Sequence, residues 1–191
     1  MVYTPQVRKA LEKAIQIHHN QVRKGTPIPY ITHPIEVALI LADVQASENV
    51  VIAGILHDTV EDSDGIYTLE QIENDFGKQV TLLVKDVTEE SKQVPWLERK
   101  LKAEQDILHM SHDSLLVKAA DTLHNLADLA YRQKTEGDTF WTSFNAPKED
   151  KIQHEQRKAT LLKQAWSENP LLNDIEDRLN ELLKFAYPKN E

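Results

Sequence analysis

The stretch 50-VVIAGILHDTVED-62 runs seven residues without a polar side chain and then places a histidine, two aspartates and a glutamate within six positions. A segment apolar on nearly every side reads as a helix buried in a bundle. Charged groups at the end of such a helix are strongly disfavoured unless something compensates them, and a metal ion resolves that conflict. If the helix continues through the acids, His57 and Glu61 stand four apart, Asp58 and Glu61 three, and Asp58 and Asp62 four, so imidazole and carboxylates share one face. A helix end passing into an acidic loop, with an aspartate capping the next helix, accounts for the His-Asp pair equally well on its own. A calcium loop does not: setting Gly65 at its sixth position puts Val60 at the first and Gln71 at the twelfth, where carboxylates are required.

Outward from this stretch the chain reads as all-α, a multi-helix bundle. It has 5 glycines, no two adjacent, and apolar residues recur at helical spacing, as in Val37, Ile40, Leu41 and Val44. The periodicity predicts helices over Thr4–Lys24, Pro34–Asp43, Ser47–Val60, Thr68–Asp75, Gly77–Thr88, Val94–Met110, His112–Arg132, Glu149–Glu168 and Pro170–Phe185. Pro34 and Pro170 suit first helical turns, and Thr68 followed by Gln71 has the spacing of a capping box. The segment 133-QKTEGDTFWTSFNAPKED-150 lacks a period, carries three aromatics and reads as a loop at a pocket rim.

A length of 191 residues with 40% hydrophobic content suits one domain spanning residues 1–191. The absence of cysteine removes disulfides, thiolate nucleophiles and zinc–thiolate sites together. A net charge of -9 gives no general attraction for nucleic acid or anionic lipid, so an anionic ligand needs a local basic cluster or a metal. No apolar run approaches a membrane span, and the N-terminus lacks the pattern of a secretion signal. A cytoplasmic protein with a small-molecule partner, and with neither nucleic acid nor membrane, is the expectation; the oligomeric state stays open.

Further residues give the His-Asp pair its weight. His33 stands just before Pro34 at a helix start, and Asp121 lies in 117-VKAADTLHNL-126 with Asn125 one turn later. The series His33, His57, Asp58, Asp121 offers two imidazoles and two carboxylates, a donor set that suits a hard or borderline divalent ion such as manganese and leaves room for water. Such an ion activates water and polarises a phosphoryl oxygen, while a nearby carboxylate accepts a proton. Arg23 with Lys24, and Arg99 with Lys100, are candidate clamps for a pyrophosphate. His109 and His112 share a spacing of three, but 109-HMSHDS-114 reads better as a helix end followed by a new N-cap than as a second metal site.

The order H, HD, D resembles the HD-domain metal phosphohydrolases, and the surrounding text is closer still to the hydrolase domain of the RelA/SpoT alarmone enzymes, particularly the stand-alone small alarmone hydrolases. The resemblance is carried by 23-RKGTPIPYITHP-34, 56-LHDTVEDSD-64, 68-TLEQIENDFGKQV-80, 87-VTEESK-92, 97-LERK-100 and 117-VKAADTLHNL-126, in family order, over residues 5 to 130. It implies one manganese ion per chain held by His33, His57, Asp58 and Asp121, with Glu61 and Asp62 beside the attacking water. It also implies that Arg23, Lys24 and Asn125 line the nucleotide site. The implied reaction is removal of the 3′-pyrophosphate of a guanosine alarmone, (p)ppGpp, giving GDP or GTP. The family's synthetase domain has no room here, so hydrolysis and not synthesis is expected. Adenosine alarmones, NADPH, or a silent nucleotide-binding regulatory module are the alternatives. The chain departs from the family at Thr122 and Ala127, where basic residues are common, and at Trp96, where a stacking surface replaces a lysine; these departures bear on ligand orientation and base choice.

Overall fold

The computed structural model describes residues 3–89 and 93–188, so the last part of the motif at 87–92 lies outside the described residues. Among the described residues ten α-helices follow in order: α1 (Pro5–His18), α2 (Thr32–Asp43), α3 (Glu48–Leu56), α4 (Thr59–Asp62), α5 (Leu69–Phe76), α6 (Lys78–Val87), α7 (Trp96–Ile107), α8 (His112–Glu136), α9 (Lys148–Ala165) and α10 (Leu172–Ala186), with a 3₁₀ turn at Gly137–Ser143 between α8 and α9. The all-α expectation holds: among the described residues the only extended pairing is an isolated bridge between Val22 and Pro29.

Helix starts follow local chemistry. Thr4 caps α1 by accepting from Val7 N, with Pro5 at the first helical position. Thr68 and Gln71 form the expected capping box on α5, and Ser111 caps α8 by accepting from Ser114 N. His112 therefore opens a helix, as read, and its ring stacks on Trp166 at 4.4 Å.

Three differences from expectation bear on the site, while the other helix ends shift by four residues or fewer. The first helix ends at His18, well before Lys24, because His18 Nδ1 bonds Gln21 Oε1 and the chain then folds into a tight turn, with Arg23 N donating to Ile28 O and Tyr30 N to Gln21 O, both at 2.8 Å. Gly25, at φ +71°, sits at the tip of this turn, where an added Cβ would lie 2.7 Å from Ser143 Cβ. The third helix ends at Leu56, not Val60: Thr59 Oγ1 takes the Leu56 carbonyl at 2.6 Å and the His57 ring takes that of Gly54 at 2.8 Å, so side chains satisfy the orphan carbonyls and the chain turns. Asp58 thus precedes a one-turn helix instead of continuing a long one. The expected loop at 133–150 is mostly helical, because Phe140 and Trp141 bury their rings and Trp141 Nε1 bonds Gln133 Oε1 at 2.6 Å.

Helix α8 is the axis, packed against α2, α3, α6, α9 and α10. Its neighbour α3 is buried at every residue from Val50 to Leu56. Leu41, Ile55, Leu56, Leu115, Leu126 and Leu162 are fully buried between these helices, each worth about 1.5–3 kcal/mol against exposure. Gly54 allows α2 and α3 to approach so closely that an added Cβ would lie 2.4 Å from Leu41 Cδ1. That approach brings the start of α2 beside the end of α3.

Candidate metal centre and adjoining cavity

His33, at the second position of α2, and His57, just past α3, face each other with Nε2 atoms 3.2 Å apart. Asp58 Oδ2 lies 3.0 Å from His57 Nε2 and 3.4 Å from His33 Nε2. From α8, Asp121 Oδ1 comes within 3.4 Å of His33 Nε2 and 3.9 Å of His57 Nε2. His33, His57 and Asp58 each offer a ligand atom within 4.8 Å of the others, a set able to hold a metal ion. Residues from three regions of sequence thus meet as expected, although through a break between helices and not along one helical face.

Every member is held from outside. His57 Nδ1 bonds the Gly54 carbonyl, and His33 Nδ1 lies 2.8 Å from His124 Nδ1, so both rings turn Nε2 inward. Tyr30 donates its hydroxyl to Asp58 Oδ2 at 2.5 Å, and Asn125 donates its amide to Asp121 Oδ1 at 2.6 Å. Lys118 Nζ stands 3.6 Å from Asp121 Oδ2.

The electrostatics show how tightly the charges are coupled. Burial pushes the His57 imidazole down, but the Asp58 carboxylate beside it, and then Asp121, outweigh that and raise it to about 9. Burial likewise opposes ionisation of Asp58 and Asp121, yet the neighbouring imidazoles, joined by Lys118 at Asp121, hold both carboxyls well below their usual range. Glu61 goes the other way: burial, then the Glu89, Asp58 and Asp62 carboxylates, raise it to about 6. Its Oε1 lies 3.6 Å from Arg99 Nη1. Asp62 closes α4, where its carbonyl accepts from Gln21 Nε2 at 2.9 Å.

Asp121 and Asn125 also line a cavity of about 130 Å³ that opens between α7, α8 and α9. Arg23 enters it, with Nη2 at 3.3 Å from Asn125 Oδ1 and 3.4 Å from Asp128 Oδ2, and its guanidinium above the Tyr30 ring. Lys100 enters it paired with Glu89. Arg99 pairs with Glu89 at 3.1 Å and lines a smaller neighbouring cavity. The Lys24 side chain is exposed and does not line the cavity, while its carbonyl is fixed by Arg132 Nη1 at 2.8 Å. Thr122 is fully buried with its hydroxyl on the Lys118 carbonyl, so that departure from the family faces the core. Trp96 lies against α9, its ring edge-on to His154 at 5.9 Å.

Sequence reading passed over several residues that complete the cavity. Lys118, Lys151, His154, Glu155 and Lys158 line it, and Phe144 from the expected pocket rim joins them. The Lys151 ammonium rests over the Phe144 ring at 4.6 Å. Burial, and then the like charges of Lys100, Lys158 and Lys24, lower it to about 8 against the pull of Glu155. His154 Nδ1 donates to Glu104 Oε1 at 2.6 Å, and burial together with the surrounding lysines keeps its ring neutral. Two signals were available. Lys118 and His124 stand inside the quoted 117–126 stretch, and Lys151, His154, Glu155 and Lys158 fall at spacings of three, four and seven, one face of α9. That face reads as solvated, and only packing against α7 and α8 turns it inward.

The HD-domain family model matches residues 10–148, and the chain belongs to the HD-domain family. Within it, the resemblance to the RelA/SpoT hydrolases holds. The guanosine-3′,5′-bis(diphosphate) 3′-pyrophosphohydrolases MESH1 of Mus musculus and Homo sapiens are each 45% identical over 129 residues, 65% of this chain and 69% of theirs. The GTP pyrophosphokinase of Streptomyces coelicolor is 40% identical over 137 residues, 69% of this chain but 16% of that protein. A solved metazoan orthologue of SpoT, described as hydrolysing ppGpp, superposes with a TM-score of 0.77 and 28% identity over 96% of this chain and 97% of its own. The chain is a hydrolase of this type, and among the described residues no helix is long and apolar enough to cross a membrane.

Proposed function

We propose that the chain, as one domain over residues 1–191, is a cytoplasmic manganese-dependent hydrolase that removes the 3′-pyrophosphate of guanosine alarmones, converting (p)ppGpp to GDP or GTP and pyrophosphate. One observation carries this reading: a set of two imidazoles and two carboxylates opens through Asp121 and Asn125 directly into a cavity lined by Arg23, Lys100, Lys118, Lys151 and Lys158. A cation site beside a cluster of cations suits a substrate that carries several phosphates.

His33, His57, Asp58 and Asp121 would hold the ion, and mixed nitrogen and oxygen donors without thiolate suit manganese. When bound, such an ion supplies Lewis acidity toward a phosphoryl oxygen and an activated water. Glu61, held near neutrality, is the side chain matched to accept a proton from that water, with Asp62 next to it. Lys118, paired to Asp121 and Glu89 by charge and held protonated despite burial, lines the cavity beside Asp121 and would meet the phosphate next to the ion. Lys100, Lys151 and Lys158 take the remaining phosphates. Arg23 offers a guanidinium plane to the purine, and Asn125 orients both Asp121 and the nucleotide.

Product analysis with manganese and a panel of ppGpp, ppApp, NADPH and simple 5′-nucleotides tests the proposal. The expected result is intact pyrophosphate released from ppGpp, with NADPH and plain nucleotides at least about tenfold lower in kcat/KM, the equivalent of one lost interaction of about 1.4 kcal/mol. Cleavage of ppApp without ppGpp overturns the guanosine substrate. Cleavage of neither overturns the alarmone reading.

A further inference from the structure

His33 and Glu36 lie one turn apart on α2, and His124 reaches both from α8. His124 Nε2 is hydrogen-bonded to Glu36 Oε2, and its Nδ1 lies 2.8 Å from His33 Nδ1. A carboxylate accepts only, so His124 carries its proton on Nε2. The Nδ1 of a neutral ring is then a lone pair, and the contact with His33 is a hydrogen bond only if His33 donates from Nδ1. That leaves the Nε2 lone pair of His33 facing His57 Nε2, Asp58 Oδ2 and Asp121 Oδ1.

We infer that Glu36 and His124 are positioning residues: a carboxylate–imidazole relay that sets the tautomer of His33 and presents its Nε2 to the metal. The inference rests on the metal reading of the cluster. It also separates the two ligand histidines. His57 obtains the same tautomer from a backbone carbonyl, that of Gly54, which no side-chain substitution removes. His33 depends on two side chains from different helices, the outer of which, Glu36, is 55% exposed. His33 is therefore the ligand whose readiness is open to tuning from the surface.

Manganese titration of the folded chain and two variants at position 124 tests this. His124→Phe keeps a ring but offers no acceptor, and its manganese Kd should rise about tenfold or more, the usual reach of groups that orient metal ligands. His124→Tyr, whose hydroxyl accepts from His33 and donates to Glu36, should recover most of that loss, which a purely steric role would not predict. In the unmodified chain without metal, where no ion imposes the tautomer, ¹⁵N–¹H correlation of the imidazoles should find the His33 proton on Nδ1. An unchanged Kd in folded His124→Phe, or a His33 proton on Nε2, overturns the relay. Failure of the unmodified chain to bind manganese overturns instead the metal reading beneath it.

Discussion

At one end of the cavity, α2, α3 and α8 set two imidazoles against two carboxylates; at the other, α7, α8 and α9 crowd Lys100, Lys118, Lys151 and Lys158 around a space of about 130 Å³. The first end is closely compensated: every ligand has an oppositely charged or hydrogen-bonding partner, and the pKa shifts favour ionised pairs. The second gathers several cations in a buried setting, and burial first, then the neighbouring like charges, bring Lys151 down to about 8. The first suits a metal ion, whereas at the second Lys100, Lys118 and Lys158, although paired with Glu89, Asp121 and Glu155, surround open space that an anion can enter. The ends meet at Asp121, whose two oxygens face the imidazoles and Lys118 respectively. Substitutions at the first end should therefore abolish chemistry, and those at the second should weaken binding.

The largest effect tests the first end. His57→Ala, or exhaustive chelation of the unmodified protein, is expected to reduce turnover to background and to lower Tm, with manganese restoring the chelated protein but not the variant. Unchanged turnover after chelation breaks the division of labour at its root.

Next in size is Glu61→Gln, which should lower kcat by about 10²–10⁴ with manganese affinity and KM nearly unchanged, the range for loss of a positioned base. Because Glu61 must be ionised to accept a proton and its pKa is raised to about 6, kcat should fall as pH drops through about 6. The variant should lack that acid limb.

Lys151→Ala should act on the other end, raising KM about ten- to hundredfold at neutral pH with little change in kcat, in line with about 1.5–3 kcal/mol for a hydrogen bond to a charged group. The ammonium must be charged to hold a phosphate, so KM should climb as pH rises through about 8. Lys151→Arg, which stays protonated, should remove that climb. A fall in kcat without a change in KM would show that the two ends are not separable.

The smallest effect is expected at Lys24. Its side chain is exposed and outside the cavity lining, so Lys24→Ala should change kcat/KM by less than about twofold. A larger loss would restore the family's expectation for this position.

The four metal candidates are legible in the sequence because ligand chemistry confines the choice of residue type: buried imidazoles and carboxylates in an apolar setting are costly without a partner, and only a few stand in one motif order. The helical class was readable for a similar reason, since apolar spacing and caps such as Thr68 with Gln71 are local properties. What local pattern could not decide was direction. The break after Leu56 depends on which carbonyls Thr59 and the His57 ring reach. The burial of Phe140 and Trp141 depends on α8 and α10 lying nearby. The Lys151, His154 and Lys158 face of α9 is polar at helical spacing, which in isolation describes a solvated surface. Only packing against α7 and α8 encloses it, and with it the cations that face the metal end. The sequence by itself determined the candidate donors and the helical class; the tertiary structure decided where those donors sit between helices and which charges share a cavity, because that depends on distances between segments far apart in the chain.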